Sequence, residues 1–520
     1  MDSYFILVLI LLVLAVADLM VGVANDAVNF LNSAIGSKVA SRKTILITAA
    51  IGVFIGASFS SGMMEVARKG IFNPSFFTFN DVMVIFLAVM ITDILLLDFF
   101  NTLGLPTSTT VSIVFELLGA SVITGVLMLS SREVEGASTL IELINHQKAI
   151  QIIAGIFLSI GVAFTIGALV QWISRFVFTF RLNNTRRLYG APFAGIAITI
   201  IIYFLLIKGV KGASFATETF KDSVAENTWS ILLVSLIVAT LISFLLQRVF
   251  HINPLKVVVL LGTLALAMAF AGNDLVNFIG VPISGYMSYQ MWSASGIPAG
   301  EFLMDKMAGE VQTPPFLLYG AGLIMMLTLW FSAKAKKVTD TQVKLSAQGA
   351  VEERFKPNFL SRGIVDAANS FANFFTHSLG RRTRIVIDMR FRIAKVDEHD
   401  LPAFDLVRAS VNLMVASILI AFASSLKLPL STTYVSFMVA MGASLADRAW
   451  GAQSAPYRVA GVFNVIGGWF LTALGAFTAS GIVALCIYYG GTWVAVALFA
   501  VAMLVLAKTN LPRLFGKKGD

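Results

Sequence analysis

The sequence predicts an all-α polytopic membrane protein with about 12 to 13 transmembrane segments, some broken or re-entrant, in two inverted-topology repeats. Three observations lead to this fold class. Apolar residues make up 57% of the 520-residue chain and charged residues only 13%, about half the charged share of a typical soluble domain. Apolar runs recur along nearly the whole chain, and two polar motifs each occur twice within them.

Thirteen apolar stretches approach the roughly 20 residues that one helical crossing requires. They lie near residues 4–24, 44–62, 82–99, 107–128, 150–173, 193–208, 229–248, 257–280, 314–332, 403–424, 428–445, 458–485 and 494–507.

The net charge of +9 is concentrated in a few loops, a pattern typical of membrane orientation rather than of nucleic-acid binding. Loop 174–192 has no acidic residue, and with the tail from Lys508 it is predicted to be cytoplasmic. Loops 130–148 and 284–313 are then predicted to lie outside. The basic residues of the first loop are Arg175, Arg181, Arg186 and Arg187.

Residues 333–402 have the charge density of soluble protein and are interpreted as a cytoplasmic hydrophilic insert. Its simplest role is a solvated or headgroup-facing linker, and regulation or partner binding is the alternative. The predicted organisation is a first transmembrane repeat at 1–175, connecting helices at 176–254, the two parts of a second repeat at 255–332 and 403–520, and the insert between these parts. The last part includes a cytoplasmic tail.

The repeated motifs indicate a tandem duplication. The pattern N-D-x-V-N-F occurs at 25–30 and 273–278, and P-x-S-T-T follows at 106–110 and 429–433. The second pair is 75 residues further apart than the first, which the insert nearly accounts for. Seven spans precede the second N-D motif, so the two copies are expected to enter the membrane from opposite sides. Inverted repeats place a substrate site near the midplane, between the halves.

The N-D motifs are candidates for cation binding and for closure of the site. An ionised Asp inside a membrane costs several kcal/mol unless it has a partner, and carboxylate and amide oxygens suit a small hard cation. A small hard cation is expected at Asp26, Asn29, Asp274 and Asn277. The complete candidate set is Asn25, Asp26, Asn29, Asn273, Asp274 and Asn277.

The P-x-S-T-T motifs are candidates for anion binding. Proline and hydroxyl residues start helices, and the free N–H groups of a first helical turn attract anions. The candidate anion ligands are Ser108, Thr109, Thr110, Ser431, Thr432 and Thr433.

Four further acidic residues fall within or near predicted spans, where each could cap a helix, form an ion pair, line water or act in transport. They are Asp18, Asp93, Asp98 and Glu116. Gly52 and Gly56 form a G-x-x-x-G pattern, which is typical of close helix packing.

At these motifs the chain resembles the PiT family of inorganic phosphate transporters, whose halves carry a G-x-N-D-x-x-N signature and a later P-x-S-T-T segment. Stretches 33–37 and 65–71 also match. The resemblance implies sodium- or proton-coupled phosphate uptake at the signature segments. Where family members often have His after S-T-T, this chain has Val111 and Tyr434, and a common Glu aligns with Val53. These losses favour sodium over protons.

The sequence therefore predicts a secondary active transporter that imports inorganic phosphate by cation symport with alternating access. It is expected in a plasma membrane as a multi-pass protein, without an organic cofactor or nucleic-acid partner, and a homodimer is allowed. A carrier of sulfate or another tetrahedral oxyanion is the alternative, followed by an anion channel. An enzyme is disfavoured, since the chain has no H-E-x-x-H or G-x-S-x-G signature.

Overall fold

The computed structural model describes most of the chain. The described ranges are 3–60, 64–103, 107–131, 138–180, 182–204, 217–309, 313–332, 381–391, 402–447 and 455–515, with isolated residues between 335 and 370. Pro106 of the first P-x-S-T-T motif, Arg181 and most of the insert at 333–402 lie outside these ranges, as do residues 132–137 and 516–520.

Twelve long helices, labelled in chain order, make up most of the described chain. They are α1 (Ser3–Gly36), α2 (Arg42–Ser58), α3 (Phe79–Leu103), α4 (Thr109–Ser131), α5 (His146–Phe178), α6 (Leu182–Ile202), α7 (Thr228–Arg248), α8 (Pro254–Ser293), α9 (Pro315–Phe331), α10 (Leu406–Ser425), α11 (Thr432–Ala446) and α12 (Ala455–Phe515). Short helical turns connect some of them, and the strand-like contacts within the described residues are two isolated bridges.

The predicted all-α polytopic membrane fold is confirmed, whereas the inverted topology of the repeats stays a prediction. Eight helical segments of the described chain are long and apolar enough to cross a membrane, and three shorter helices are also apolar. Each of the thirteen predicted spans overlaps one of the twelve helices, and residues 61–62 and 205–208 of two spans lie outside the described ranges. The last two spans share α12, where Gly491 has non-helical backbone angles with a φ of 62°.

Helices α1 and α8, which carry the N-D motifs, pack against each other at the centre of the molecule. Their contact is reciprocal. The Phe278 ring of α8 covers Gly22 of α1, where a Cβ atom would lie 2.1 Å from the ring. In turn the Phe30 ring of α1 lies 5.2 Å from the Phe270 ring of α8. The two motifs are thereby held side by side in the core.

The outer helices repeat this reciprocity, because α5 packs on α11 and α4 packs on α12. Gly442 of α11 faces the Phe164 carbonyl of α5, and Gly119 of α4 faces the Phe477 carbonyl of α12. A Cβ atom at either glycine would lie 2.1 Å from that oxygen. Small residues let membrane helices approach backbone to backbone in this way.

The G-x-x-x-G pattern of α2 has the packing role that the sequence predicts. Gly52 and Gly56 face the Leu264 and Met268 carbonyls of α8, at 2.4 and 2.2 Å from where a Cβ atom would stand. Helix α2 is therefore fixed against the helix that carries the second N-D motif.

Three basic residues of the predicted loop 174–192 lie in helices, because α5 continues to Phe178 and α6 begins at Leu182. They are Arg186 and Arg187 of α6 and Arg175, which lies in the last turn of α5. The Arg175 guanidinium is fully buried, and it donates to both oxygens of Asp405 (2.6 and 3.0 Å) and both oxygens of Asp447 (2.7 Å each). Burial alone would raise the pKa of Asp405, but Arg175 and the Arg408 amide hold that pKa below its usual range. The ion pairs tie α5 to the ends of α10 and α11.

Candidate functional site

The four motifs meet in one buried centre. The N-D residues lie in the middle of α1 and α8, and the Ser-Thr-Thr segments form the N-termini of α4 and α11. The twelve side chains predicted as site residues are each at most 4% exposed. The structure thus brings together all of the candidate cation and anion ligands and closes them off from solvent.

Asp26 joins the two helix starts. Thr109 Oγ1 donates to Asp26 Oδ2 at 2.9 Å, and Thr433 Oγ1 donates to Asp26 Oδ1 at 3.2 Å. One of these hydroxyls belongs to the first half of the chain and the other to the second. A single carboxylate therefore bridges α4 and α11.

Asp274 makes the matching bridge from the second half. Thr110 Oγ1 donates to Asp274 Oδ1 at 3.3 Å, and Thr432 Oγ1 contacts Asp274 Oδ2. The Thr110 hydroxyl also lies 3.2 Å from the Leu430 carbonyl. Together the two carboxylates hold all four threonine hydroxyls of the two Ser-Thr-Thr segments.

The second asparagine of each N-D motif crosses to the opposite half. Asn29 Nδ2 donates to the hydroxyls of Thr433 (3.0 Å) and Thr432 (3.3 Å). Asn277 correspondingly donates to Thr110 (3.0 Å) and Thr109 (3.4 Å). Each threonine hydroxyl is thus placed between a carboxylate that accepts its proton and an amide that donates to its oxygen.

The first asparagine of each motif fixes the backbone around the helix starts. Asn25 Nδ2 donates to Asn101 Oδ1 at 2.7 Å, and Asn25 Oδ1 accepts a hydrogen bond from the Thr107 backbone amide at 3.2 Å. The Asn273 amide is hydrogen-bonded to Ser424 Oγ at 2.8 Å. The sequence interpretation missed Asn101 and Ser424, although each stands eight residues before the first threonine of its own Ser-Thr-Thr segment.

Ser108 and Ser431 cap the helices that they precede. The Ser108 and Ser431 hydroxyl oxygens accept hydrogen bonds from the backbone amides of Val111 and Tyr434, both at 3.1 Å. A capping side chain satisfies one of the donors that a helix start leaves open. The serines therefore orient the first turns of α4 and α11 towards the centre, and the threonines provide the donors nearest the carboxylates.

The described part of the chain places no cationic side chain in hydrogen-bond contact with the two carboxylates of the centre. Among the described residues, the hydrogen-bond partners of Asp26 and Asp274 are hydroxyls and amides. Those residues also hold no group of three or more His, Cys, Asp or Glu side chains arranged for a metal ion. The oxygen-rich ligand set instead suits a hard cation held by one carboxylate with amide and hydroxyl oxygens.

The residues that replace the expected histidines serve in packing. Tyr434 is buried and stacks on Trp469 of α12, with the ring centroids 3.7 Å apart. Val111 is also fully buried. Neither side chain can exchange a proton near neutral pH, which agrees with the departure noted in the sequence.

Fold and site together define a polytopic α-helical membrane protein with a polar centre shared by two halves, an architecture found among secondary transporters. The model of the phosphate transporter family matches residues 22–342. The chain belongs to this family, as the repeated motifs predict. The match includes both N-D motifs and the first Ser-Thr-Thr segment.

Two comparisons agree with this assignment. The relative named "Putative phosphate permease PF1020" of Pyrococcus furiosus is 28% identical over 284 residues, which cover 52% of this chain and 64% of the relative. The aligned region thus spans under two thirds of that protein's length. The solved structure named "The sodium-dependent phosphate transporter" matches with a TM-score of 0.63 at 17% identity, over 93% of this chain and 99% of the other. At this identity the likeness shows a shared fold.

Proposed function

We propose that the protein is a secondary active transporter that imports inorganic phosphate by cation symport, with sodium preferred over protons. The observation that carries this proposal is the set of four threonine hydroxyls at two facing helix starts, each donating to Asp26 or Asp274. The family match supports phosphate as the substrate, and the structural neighbour, a sodium-dependent phosphate transporter by name, supports sodium as the coupling ion.

Phosphate would bind between the N-termini of α4 and α11. Helix starts offer backbone N–H groups to anions, and Thr109, Thr110, Thr432 and Thr433 add hydroxyl donors. The Ser108 and Ser431 hydroxyls already accept their own helix amides, but each still has a proton to donate. The six residues can thus cradle a tetrahedral anion without Lys or Arg.

Competition for the hydroxyl protons gives a physical reason for coupling. Each threonine hydroxyl has one proton to donate, so a hydroxyl that donates to phosphate no longer donates to Asp26 or Asp274. The two buried carboxylates would then lose their donors at the moment when another anion arrives. Sodium at Asp26 with Asn29, and at Asp274 with Asn277, removes this penalty. Anion and cation therefore favour each other's binding.

Coupling is also required by the membrane potential. An inside-negative potential opposes anion entry by about 2.3 kcal/mol per charge per 100 mV, and co-bound sodium ions reverse the sign of that term. Opposed rocking of two inverted repeats about the central site would expose it first to one side and then to the other. The closed centre is the occluded stage of such a cycle.

In this proposal the protein lies in the plasma membrane with the insert 333–402 and the C-terminus in the cytoplasm. Arg186 and Lys508 follow the positive-inside rule in this orientation. Single cysteines placed at Arg186 and Glu301, after replacement of Cys486, should react with impermeant reagents from the inside and the outside respectively. Labelling of both positions from one side would rule out the orientation.

The transport proposal is tested with purified protein in liposomes. Radiolabelled phosphate uptake should be driven by an inward sodium gradient at equal pH, and far less by an inward proton gradient without sodium. Exposed Asp305 provides a control variant, Asp305→Asn, that should transport normally. Uptake that ignores both gradients would support the anion channel, and uptake driven by the proton gradient alone would overturn the sodium preference.

A further inference from the structure

A second group of buried acids lies beside the central site. Asp18 of α1, Asp93 of α3 and Glu116 of α4 are all fully buried. Asp18 and Asp93 are immediate neighbours, and Glu116 lies within Coulombic range of both. Three carboxyl groups from three helices therefore share one apolar surrounding.

Most carboxyl oxygens of these three acids lack a hydrogen-bond donor among the described residues. Within the described part of the chain, both oxygens of Asp18, both oxygens of Asp93 and Glu116 Oε2 have no hydrogen-bond donor. Ser112 Oγ donates its proton to Glu116 Oε1 at 2.7 Å. The Ser112 side chain also lies against Asp93, so its oxygen lone pairs are available on that side. Buried acceptors without donors are costly, and clustered like charges add to that cost.

We propose that Asp18 and Asp93, together with the Ser112 hydroxyl oxygen, bind a hard metal cation, sodium or calcium, at a site distinct from the Asp26–Asp274 centre. A single proton shared by Asp18 and Asp93 would engage two oxygens and leave the others without a donor. A metal cation accepts several oxygen ligands at once, and carboxylate and hydroxyl oxygens are the ligands that hard cations select. Glu116 is a positioning residue that turns the Ser112 lone pairs towards the cation.

The proposed site belongs to the first half alone. At the same distances from the motifs, the second half has Leu266, Ala416 and Val439 in place of Asp18, Asp93 and Glu116. Asp18 precedes Asp26 by roughly two turns of α1. A cation held by Asp18 would consequently act on the field at Asp26 without contacting the transported anion.

The test measures cation binding without phosphate, so its result does not depend on the proposed transport function. The background is the full chain with Asp26→Asn and Asp274→Asn, which removes the carboxylates of the central site. Thermal unfolding is recorded in choline chloride, sodium chloride and calcium chloride at equal ionic strength, alongside binding of radiolabelled sodium and calcium. The background should retain a rise in Tm and one bound ion with sodium or with calcium, which identifies the cation.

Asp93→Asn and Asp18→Asn, each added to that background, should abolish the bound ion and the cation-dependent rise in Tm. Both should raise Tm in choline, because they remove like-charge repulsion, and this response shows that the variants fold. Asp98→Asn, a buried acid on the same helix α3, is the matched control and should keep the bound ion. Cation binding that survives both cluster substitutions would overturn the proposal. So would a background protein that responds to pH but to neither cation.

Discussion

The two halves of the chain make matching contacts at the central site. They differ in the residues about two helical turns away from it. At the centre, Asp26 and Asp274 each hold one threonine from either half. Around it, the first half has three buried acids where the second half has Leu266, Ala416 and Val439. The contacts that hold the two helix starts together draw on both halves. The three buried acids around them come from the first half alone.

The largest effect is expected from breaking the symmetric part. Asp26→Asn and Asp274→Asn should each reduce sodium-driven phosphate uptake by at least about 100-fold, because each removes one charge-assisted bridge and one proposed cation ligand. The measurement is initial-rate uptake in liposomes, with monodispersity of the purified variants as the control for folding. Wild-type uptake in either variant would show that the two halves do not share one site.

The reciprocity of the centre also predicts anion selectivity. A carboxylate from each half faces the proposed anion site, and a carboxylate oxygen that contacts the anion directly, without an intervening sodium ion, repels the anion unless it accepts a proton from it. Phosphate and arsenate carry such a proton at neutral pH, whereas sulfate does not. Sites with buried polar groups strongly reject near-isosteres that leave those groups unpaired.

Arsenate should therefore compete with phosphate at similar concentrations, and sulfate should inhibit at least about 100-fold more weakly. Competition is measured as inhibition of labelled phosphate uptake at fixed sodium. Equal inhibition by the two anions would contradict direct contact between the carboxylates and the anion, and it would favour the sulfate carrier.

Sequence was sufficient for the parts of the fold that repeat. Apolar length predicted segments that overlap all twelve long helices, and the duplicated motifs identified twelve residues that the fold does bring together. The exchange between halves, such as Thr433 donating to Asp26, required the structure. The two residues are 407 positions apart, and nothing in either motif says which copy it contacts.

Single polar residues without a repeated motif were harder to interpret. Arg175 was assigned to a loop because its partners, Asp405 and Asp447, lie 230 and 272 residues further along the chain. Asn101 and Ser424 were missed because they differ in residue type, although their contacts with Asn25 and Asn273 correspond. Their equal spacing from the two threonine pairs was the available signal.

The smallest expected effect separates the capping serines from the threonines of the same motifs. Ser108→Ala and Ser431→Ala should each lower the free energy of unfolding by about 1 kcal/mol, the usual cost of losing a helix cap. Asn caps a helix nearly as well as Ser, so Ser108→Asn and Ser431→Asn should restore most of that stability.

Stability is measured by thermal unfolding in sodium without phosphate, so that the difference between the Ser and Ala proteins reports the cap alone. The affinity for phosphate is then measured on the same samples. Because the serine hydroxyls are also proposed phosphate ligands, the Ala variants should bind phosphate more weakly as well as unfold earlier. The two halves should respond alike, since the capping hydrogen bonds of Ser108 and Ser431 are both 3.1 Å long. A loss of stability at Ser108 without a matching loss at Ser431 would show that the asymmetry of the surrounding acids extends into the helix starts themselves.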